Sequence, residues 1–284
     1  MSRGVSLAFP PFTRTVKTLI GINVAIYFLT LLLAISHQDA GVSAIYGTLS
    51  LIPREVVHGH IWQLVTYSFI HGGFFHIFFN MLTLWMFGSS LEQHWGRRQF
   101  TEFYFFCVLG AALVTVLLSY AGGQVLHLYP TTPTLGASGG IYGLLLAFGW
   151  LFGEQEIYMF PLPFRIKAKY MVAVLILIAL AGALGDPSGS GTANIAHLAG
   201  VVFGYIYLKF LPRRGFAFAF SESFYGMRNS YHRWKRRRAA RKFQVYMRKH
   251  NSDPKQYFDE YGNFRPPDDI DKDKKDGGKG GWVN

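Results

Sequence analysis

The chain has 284 residues, of which half are apolar, only 15% are charged and 26 are Phe, a charge content well below that of a soluble domain of this length. The apolar residues come in long runs rather than in an alternating pattern, which points to a lipid bilayer as the solvent and excludes an ordinary soluble enzyme. The net charge of +12 is uneven: after Leu211 there are 18 of the 28 Lys and Arg against 9 of the 16 acids, so the basic signal belongs mostly to the tail.

Six membrane helices are expected in chain order. The first covers about Thr18–Ser36, within a stretch free of charge from Thr18 to Gln38. That stretch is too long for a signal-peptide core and reads as a retained span. The second covers about Phe74–Leu91. An uncharged stretch from Phe103 to Gly153 is too long for one span and is broken by Gly122, Gly123, Pro130 and Pro133. It gives a third helix near Phe100–Tyr120 and a fourth near Ala137–Gly153. The fifth runs about Tyr170–Gly185 and the sixth about Asn194–Leu211. Crossing a hydrocarbon core about 30 Å thick takes about 20 residues, so the fourth and fifth are short.

Every second connection is basic. Arg3, Arg14 and Lys17 precede the first helix, Arg97 and Arg98 follow the second, Arg165, Lys167 and Lys169 follow the fourth, and Arg213 and Arg214 follow the sixth. The alternate loops, 37–73, 121–136 and 186–193, contain only Arg54. The positive-inside rule then places both termini in the cytoplasm. Ile61–His71, apolar and aromatic but too short to span, is expected to lie at the bilayer interface or dip into the bilayer edge. Residues 1–17 read as a cytoplasmic segment, 18–211 as the helical domain and 212–284 as a basic, partly disordered tail. The run Arg233–Lys242 suits anionic lipid headgroups better than nucleic acid, which is not an expected partner.

Polar residues inside spans are costly and mark candidate sites. Asp39 and Asp186, the only aspartates before the tail, lie outside the spans, so a shared-proton aspartyl pair is excluded. His71 and His76 are five apart with no Glu beside them, which excludes an HExxH zinc site. The single cysteine, Cys107, forms no internal disulfide and reads as a small buried or lipid-facing residue. Serine chemistry remains, and it calls for neither metal nor cofactor.

Gly136-Ala137-Ser138-Gly139-Gly140 sets one Ser at the mouth of the fourth helix. Alone this string is weak, because Gly and Ser also serve helix packing. His197 lies a few residues into the sixth helix, and His76 and Asn80, four apart, share one face at the start of the second. All three helices start on the same side, so the four polar residues lie at one shallow depth. A serine hydroxyl needs a base such as His, and a tetrahedral intermediate needs donors, which His76, Asn80 and the Ser138 N–H supply. Gly136-x-x-x-Gly140, Gly139-x-x-x-Gly143 and Gly200-x-x-x-Gly204 would let the fourth and sixth helices approach closely. Tyr142, one turn after Ser138, would pack on the imidazole.

At these residues the chain resembles the rhomboid family of intramembrane serine proteases. The matching strings are GASGGIYG around Ser138, AHLAGVVFG around His197 and HIFFN from His76 to Asn80, in the family's order. The resemblance covers about Thr18–Leu211 and implies an all-α, six-transmembrane-helix bundle with a basic cytoplasmic tail. It also implies a Ser138–His197 dyad with no third acidic member, His76 and Asn80 at the oxyanion, and Tyr142 stacked on His197. His71 matches a further family His, and Glu92 a family glutamate with a structural hydrogen-bonding role. Where rhomboids often carry Trp-Arg this chain has Trp62-Gln63, which is expected to loosen the first loop. The resemblance implies single-span membrane proteins as substrates and a prokaryotic plasma membrane as the location. The alternatives are a catalytically inactive relative that acts as a membrane-protein binder or chaperone and, from a different class, a small transporter or channel. A transporter would need polar residues spread through the membrane depth, whereas these cluster near one face.

Overall fold

The computed structural model describes residues 10–121, 128–158, 165–185, 191–210, 225–226, 228–235 and 238. The chain divides into two compact units, Met1–Ala219 and Phe220–Asn284. The first is mostly helical.

Helix α1 (Arg14–Ile35) leads into a connection of short helices: α2 (Asp39–Leu49), α3 (Pro53–Val57), α4 (Gln63–Thr66) and a 3₁₀ turn at Tyr67–Phe69. Then comes one apolar helix, Phe74–Trp95, made of α5 (Phe74–Thr83), a π turn at Leu84–Gly88 and α6 (Ser89–Trp95). Helices α7 (Arg97–Ala121), α8 (Ser138–Leu151), α9 (Ala168–Gly185) and α10 (Gly191–Phe210) follow. By length and composition four of these reach across a membrane: Arg14–Ile35, Phe74–Trp95, Arg97–Ala121 and Ala193–Phe210. Ser138–Leu151 and Ala168–Ala183 are shorter apolar helices.

The helix from Phe74 starts where expected, α8 starts one residue late, and the other long helices start two to four residues before their expected N-terminal limits. The departure from a purely helical class is small. Strands β1 (Glu156–Tyr158) and β2 (Arg165–Lys167) pair antiparallel between α8 and α9, with Ile157 opposite Ile166. Beside them Glu154 bonds Lys167 at 2.7 Å and also Lys169.

Helix α1 is fastened by a side chain from another element. Its first N–H groups lack intrahelical acceptors, and Thr13, at the cap position, makes no side-chain cap. Glu92 of α6 supplies the acceptor instead. Its carboxylate takes the N–H groups of Thr15 (3.0 Å) and Val16 (3.1 Å) and the hydroxyls of Thr13 and Thr15. A negative charge at a helix N-terminus also suits the helix dipole. This is the structural role expected of Glu92. One turn earlier, a Cβ on Gly88 would stand 3.2 Å from Val16 Cγ2 and 3.3 Å from Phe100 Cζ, so the π turn lies where α1 and α7 crowd in.

The core gathers aromatic rings between α7 and α10. Phe103 meets Tyr207 edge-on at 5.1 Å, and Phe106 contacts both Phe203 and Tyr207. A Cβ on Gly110 would stand 2.1 Å from Phe203 Cγ, so α7 needs a glycine there. By contrast α1 exposes Phe28, Leu29, Leu32 and Ile35, and α9 exposes Val174, Leu177, Ile178 and Leu180. In a bilayer these faces meet acyl chains rather than water.

In the 37–73 connection Tyr67 and Ile70 are buried, while Ile61 and Trp62 are exposed. The Gln63 side chain, expected to loosen the loop, is instead its hub. Fully buried, it accepts the Ile52 N–H (3.0 Å) and donates to the carbonyls of Gly47 (3.1 Å) and Thr48 (3.3 Å). Trp62 Nε1 also donates to Thr48 O, and Thr66 Oγ1 to Leu49 O. The last carbonyls of a helix have no intrahelical donors, and α4 with its flanks provides them for α2. An amide with both donor and acceptor ends does this without burying the charge of an Arg.

Candidate active site

The segment before Ser138 is held by backbone bonds to that first connection. Leu51 and Thr134 exchange two N–H···O bonds of 2.9 Å, Arg54 N donates to Pro130 O at 2.8 Å, and Gly136 N donates to Tyr67 O at 2.9 Å. Gly136 has φ +118°, a conformation that favours glycine. Gly136 also lies outside α8, so the Gly136–Gly140 pair does not line a helix face as expected. Its role is to turn the chain and leave room. A Cβ there would stand 2.7 Å from His76 Nε2 and 3.6 Å from Ser138 Oγ. The imidazole of His76 and the hydroxyl of Ser138 therefore border the same small space.

Ser138 is the first residue of α8, with Ala137 at the cap position. The N-terminal amides and dipole of a helix favour negative charge at this point. Beneath it lies His71, buried, whose Nε2 accepts the Ala137 N–H at 3.5 Å. The His71 ring meets His76 edge-on at 5.0 Å, and its carbonyl accepts the Tyr46 hydroxyl of α2 at 2.8 Å. Asn80, buried one turn after His76, donates Nδ2–H to the His76 carbonyl at 2.8 Å. An amide nitrogen carries two hydrogens, so a second donor remains.

His197 comes to this place through α10. Helices α8 and α10 touch backbone to backbone: a Cβ on Gly200 would stand 2.0 Å from Gly139 O, and one on Gly204 3.1 Å from Gly143 Cα. A Cβ on Gly139 would stand 2.9 Å from Tyr67 Oη and 3.7 Å from Ala196 O. Both expected small-residue rows, at 139/143 and 200/204, thus meet each other. Across this seam the rings of Tyr142 and His197 stack at 4.2 Å with an interplanar angle of 7°. Ser138 and Tyr142 are one turn apart on α8, so His197 covers the face that carries Ser138. Among the described residues the buried His197 Nδ1 has no hydrogen-bond partner.

The structure thus brings together His71, His76, Gly136, Ser138, Gly139, Tyr142 and His197, with Asn80 backing His76. Sequence reading missed Tyr67. Its carbonyl holds Gly136, its hydroxyl donates to Val108 O at 2.8 Å, and its ring is buried. An aromatic residue in an apolar loop carries no signal of such a role. Among the described residues no three of His, Cys, Asp and Glu are grouped to hold a metal ion.

The fold and this cluster define a helical multi-pass membrane protein with a polar centre built from three helix starts. A family model described as the Rhomboid domain matches residues 58–214, more than half of the sequence, and the chain belongs to the rhomboid family. Rhomboid protein 1, mitochondrial, of Saccharomyces cerevisiae is 31% identical over 206 residues, covering 70% of this chain and 55% of that protein. Rhomboid-like protein 19 of Arabidopsis thaliana is 26% identical over 190 residues, 66% of this chain and 60% of that one. Rhomboid protease GlpG of Pectobacterium atrosepticum is 26% identical over 207 residues, 72% and 68% respectively. The chain spans roughly half to two thirds of the length of these relatives. They come from a bacterium, a plant and a fungal mitochondrion, so the likeness selects a membrane protein and not a compartment.

Proposed function

We propose that the chain is an intramembrane serine endopeptidase that cuts single-span membrane proteins through a Ser138–His197 dyad. The observation that carries this reading is the Tyr142–His197 stack over the face of α8 that begins with Ser138. A flat stack fixes the imidazole plane, which a carboxylate partner does in a triad.

In this reading Ser138 Oγ attacks the scissile carbonyl carbon while His197 takes the hydroxyl proton. The carbonyl oxygen becomes an oxyanion, received by the Ser138 N–H, His76 and the second N–H of Asn80. Collapse of the intermediate breaks the C–N bond, and His197 returns the proton to the leaving amine. Water then attacks the acyl-enzyme with His197 again as base, and release of the carboxyl product restores Ser138. The bundle has six spans: α1, α5–α6, α7, α8, α9 and α10, with α8 and α9 recessed. The basic residues in alternate connections support cytoplasmic termini and a site near the opposite face.

The test is cleavage of a model single-span protein in proteoliposomes by wild type, Ser138→Ala and His197→Ala. Each substitution is expected to lower kcat by about 10⁴-fold or more. Asn80→Ala is expected to lose about 10²-fold, as for one oxyanion donor. Cleavage by Ser138→Ala at the wild-type rate would sink the mechanism.

A further inference from the structure

Between Tyr225 and Lys249 the sequence holds ten Lys and Arg and no Asp or Glu. The structure makes residues 225–226, 228–235 and 238 helical, and every one of them is exposed. At 100° per residue, Arg228, Tyr231, Lys235 and Arg238 form one stripe with Trp234 at its edge. The aromatic and basic groups on it are interleaved. Tyr231 stacks on Trp234 at 6.1 Å, and the Arg238 guanidinium lies 5.3 Å from the Trp234 ring centroid. Tyr231 is 58% and Trp234 50% exposed.

An isolated helix this short is marginal in water, and unneutralised like charges weaken it further. A partner must supply negative charge and a place for amphipathic rings. Tyr and Trp favour the boundary between lipid headgroups and acyl chains, and Lys and Arg favour anionic headgroups. Connectivity decides between a lipid surface and a nucleic acid, which the charge alone would also suit. Tyr225 lies fifteen residues after Phe210, the end of apolar helix α10. At about 3.3–3.6 Å per residue the tether is at most about 50 Å long. A bilayer surface is therefore always within reach, at high effective concentration, and a nucleic acid is not.

We propose that the helical residues at 225–226, 228–235 and 238 belong to an interfacial arm that lays its aromatic and basic stripe on the anionic lipid surface of the bilayer holding the chain's own apolar helices. The arm is independent of the Ser138 chemistry.

The full-length chain carrying Ser230→Cys with a polarity-sensitive dye tests this. Cys107 is fully buried and does not compete for label. The protein is reconstituted in phosphatidylcholine vesicles with or without about 30% phosphatidylglycerol. Access of an aqueous quencher is expected to fall about threefold or more in the anionic vesicles and to recover at raised salt. Arg228→Gln, Lys235→Gln and Arg238→Gln together are expected to abolish the protection, and Trp234→Ala to reduce it. Equal access in both vesicles would overturn the proposal. So would equal protection in both that survives the three substitutions, which marks a contact within the chain, for instance with the eight acids after Lys249. Protection that appears only on adding RNA would assign the arm to nucleic acid.

Discussion

Helix α8 has two neighbours that meet it in opposite ways. Against α10 it presents glycine to glycine, so closely that a single methyl at Gly200 would land 2.0 Å from a carbonyl oxygen. Against α9 its glycine meets a side chain rather than backbone: a Cβ on Gly149 would stand 3.0 Å from Val172 Cγ2, while the far face of α9 is left to lipid. The first contact has one solution and fixes His197 on Tyr142, one turn from Ser138. The second tolerates adjustment. Precision is concentrated at the seam and at the loop that feeds it, and the rest of the bundle supplies containment.

Breaking the seam is expected to have the largest effect. Gly200→Leu must force α8 and α10 apart by more than 1 Å, and a shift of that size at reacting groups costs about 10²-fold in rate. Proteolysis together with thermal unfolding in detergent measures both consequences. Loosening the loop comes next. Gln63→Ala takes the partners from the Ile52 N–H and the Gly47 carbonyl, while Thr48 O keeps its bond from Trp62, and is expected to cost about 2–3 kcal/mol, with turnover falling because the Leu51–Thr134 bridge loses its support. Activity preserved alongside lost stability would separate the loop from the site and weaken the comparison.

Smaller effects sharpen the contrast. Glu92→Gln keeps the shape of the cap on α1 but removes its charge, and is expected to cost about 1 kcal/mol in unfolding free energy without changing kcat. Leu177→Ala, on the lipid face of α9, is expected to stay within about 0.5 kcal/mol of wild type. Smallest is Glu154→Gln beside the hairpin. Hydrogen bonds from Lys167 and Lys169 hold the Glu154 carboxyl down to about 2 from its usual 4.5. Its contribution is therefore complete above pH 4.5 and lost as pH falls through about 2. Full exposure and salt screening keep it slight, so wild type and Glu154→Gln are expected to share one pH–stability curve above pH 4.5.

The long helices were legible because their signal is collective: tens of apolar residues without a charge have one reading in a bilayer. The cluster was legible because Ser138, His197, His76 and Asn80 are polar where polarity is expensive, and helix period alone aligned Tyr142 with Ser138. The clamps were hidden. Gln63 and Tyr67 act through backbone groups of residues brought near only by folding, and one Gln or Tyr in a loop has no period to betray it. The β1–β2 hairpin escaped for the same reason, as three-residue strands carry too few residues to show alternation. Gly136 misled in a specific way. Its spacing from Gly140 fits a helix face, but the helix starts after it, and its true task is a backbone turn with positive φ.

In the proposed mechanism, packing against α10 makes Ser138 a nucleophile. A serine-reactive fluorophosphonate, followed by mass spectrometry of the labelled peptide, reads this directly and needs no knowledge of the substrate. Labelling is expected at Ser138 in wild type, abolished in His197→Ala and reduced at least about tenfold in Gly200→Leu. Labelling of Ser138 unchanged in His197→Ala, or none in the folded wild-type protein, would contradict it.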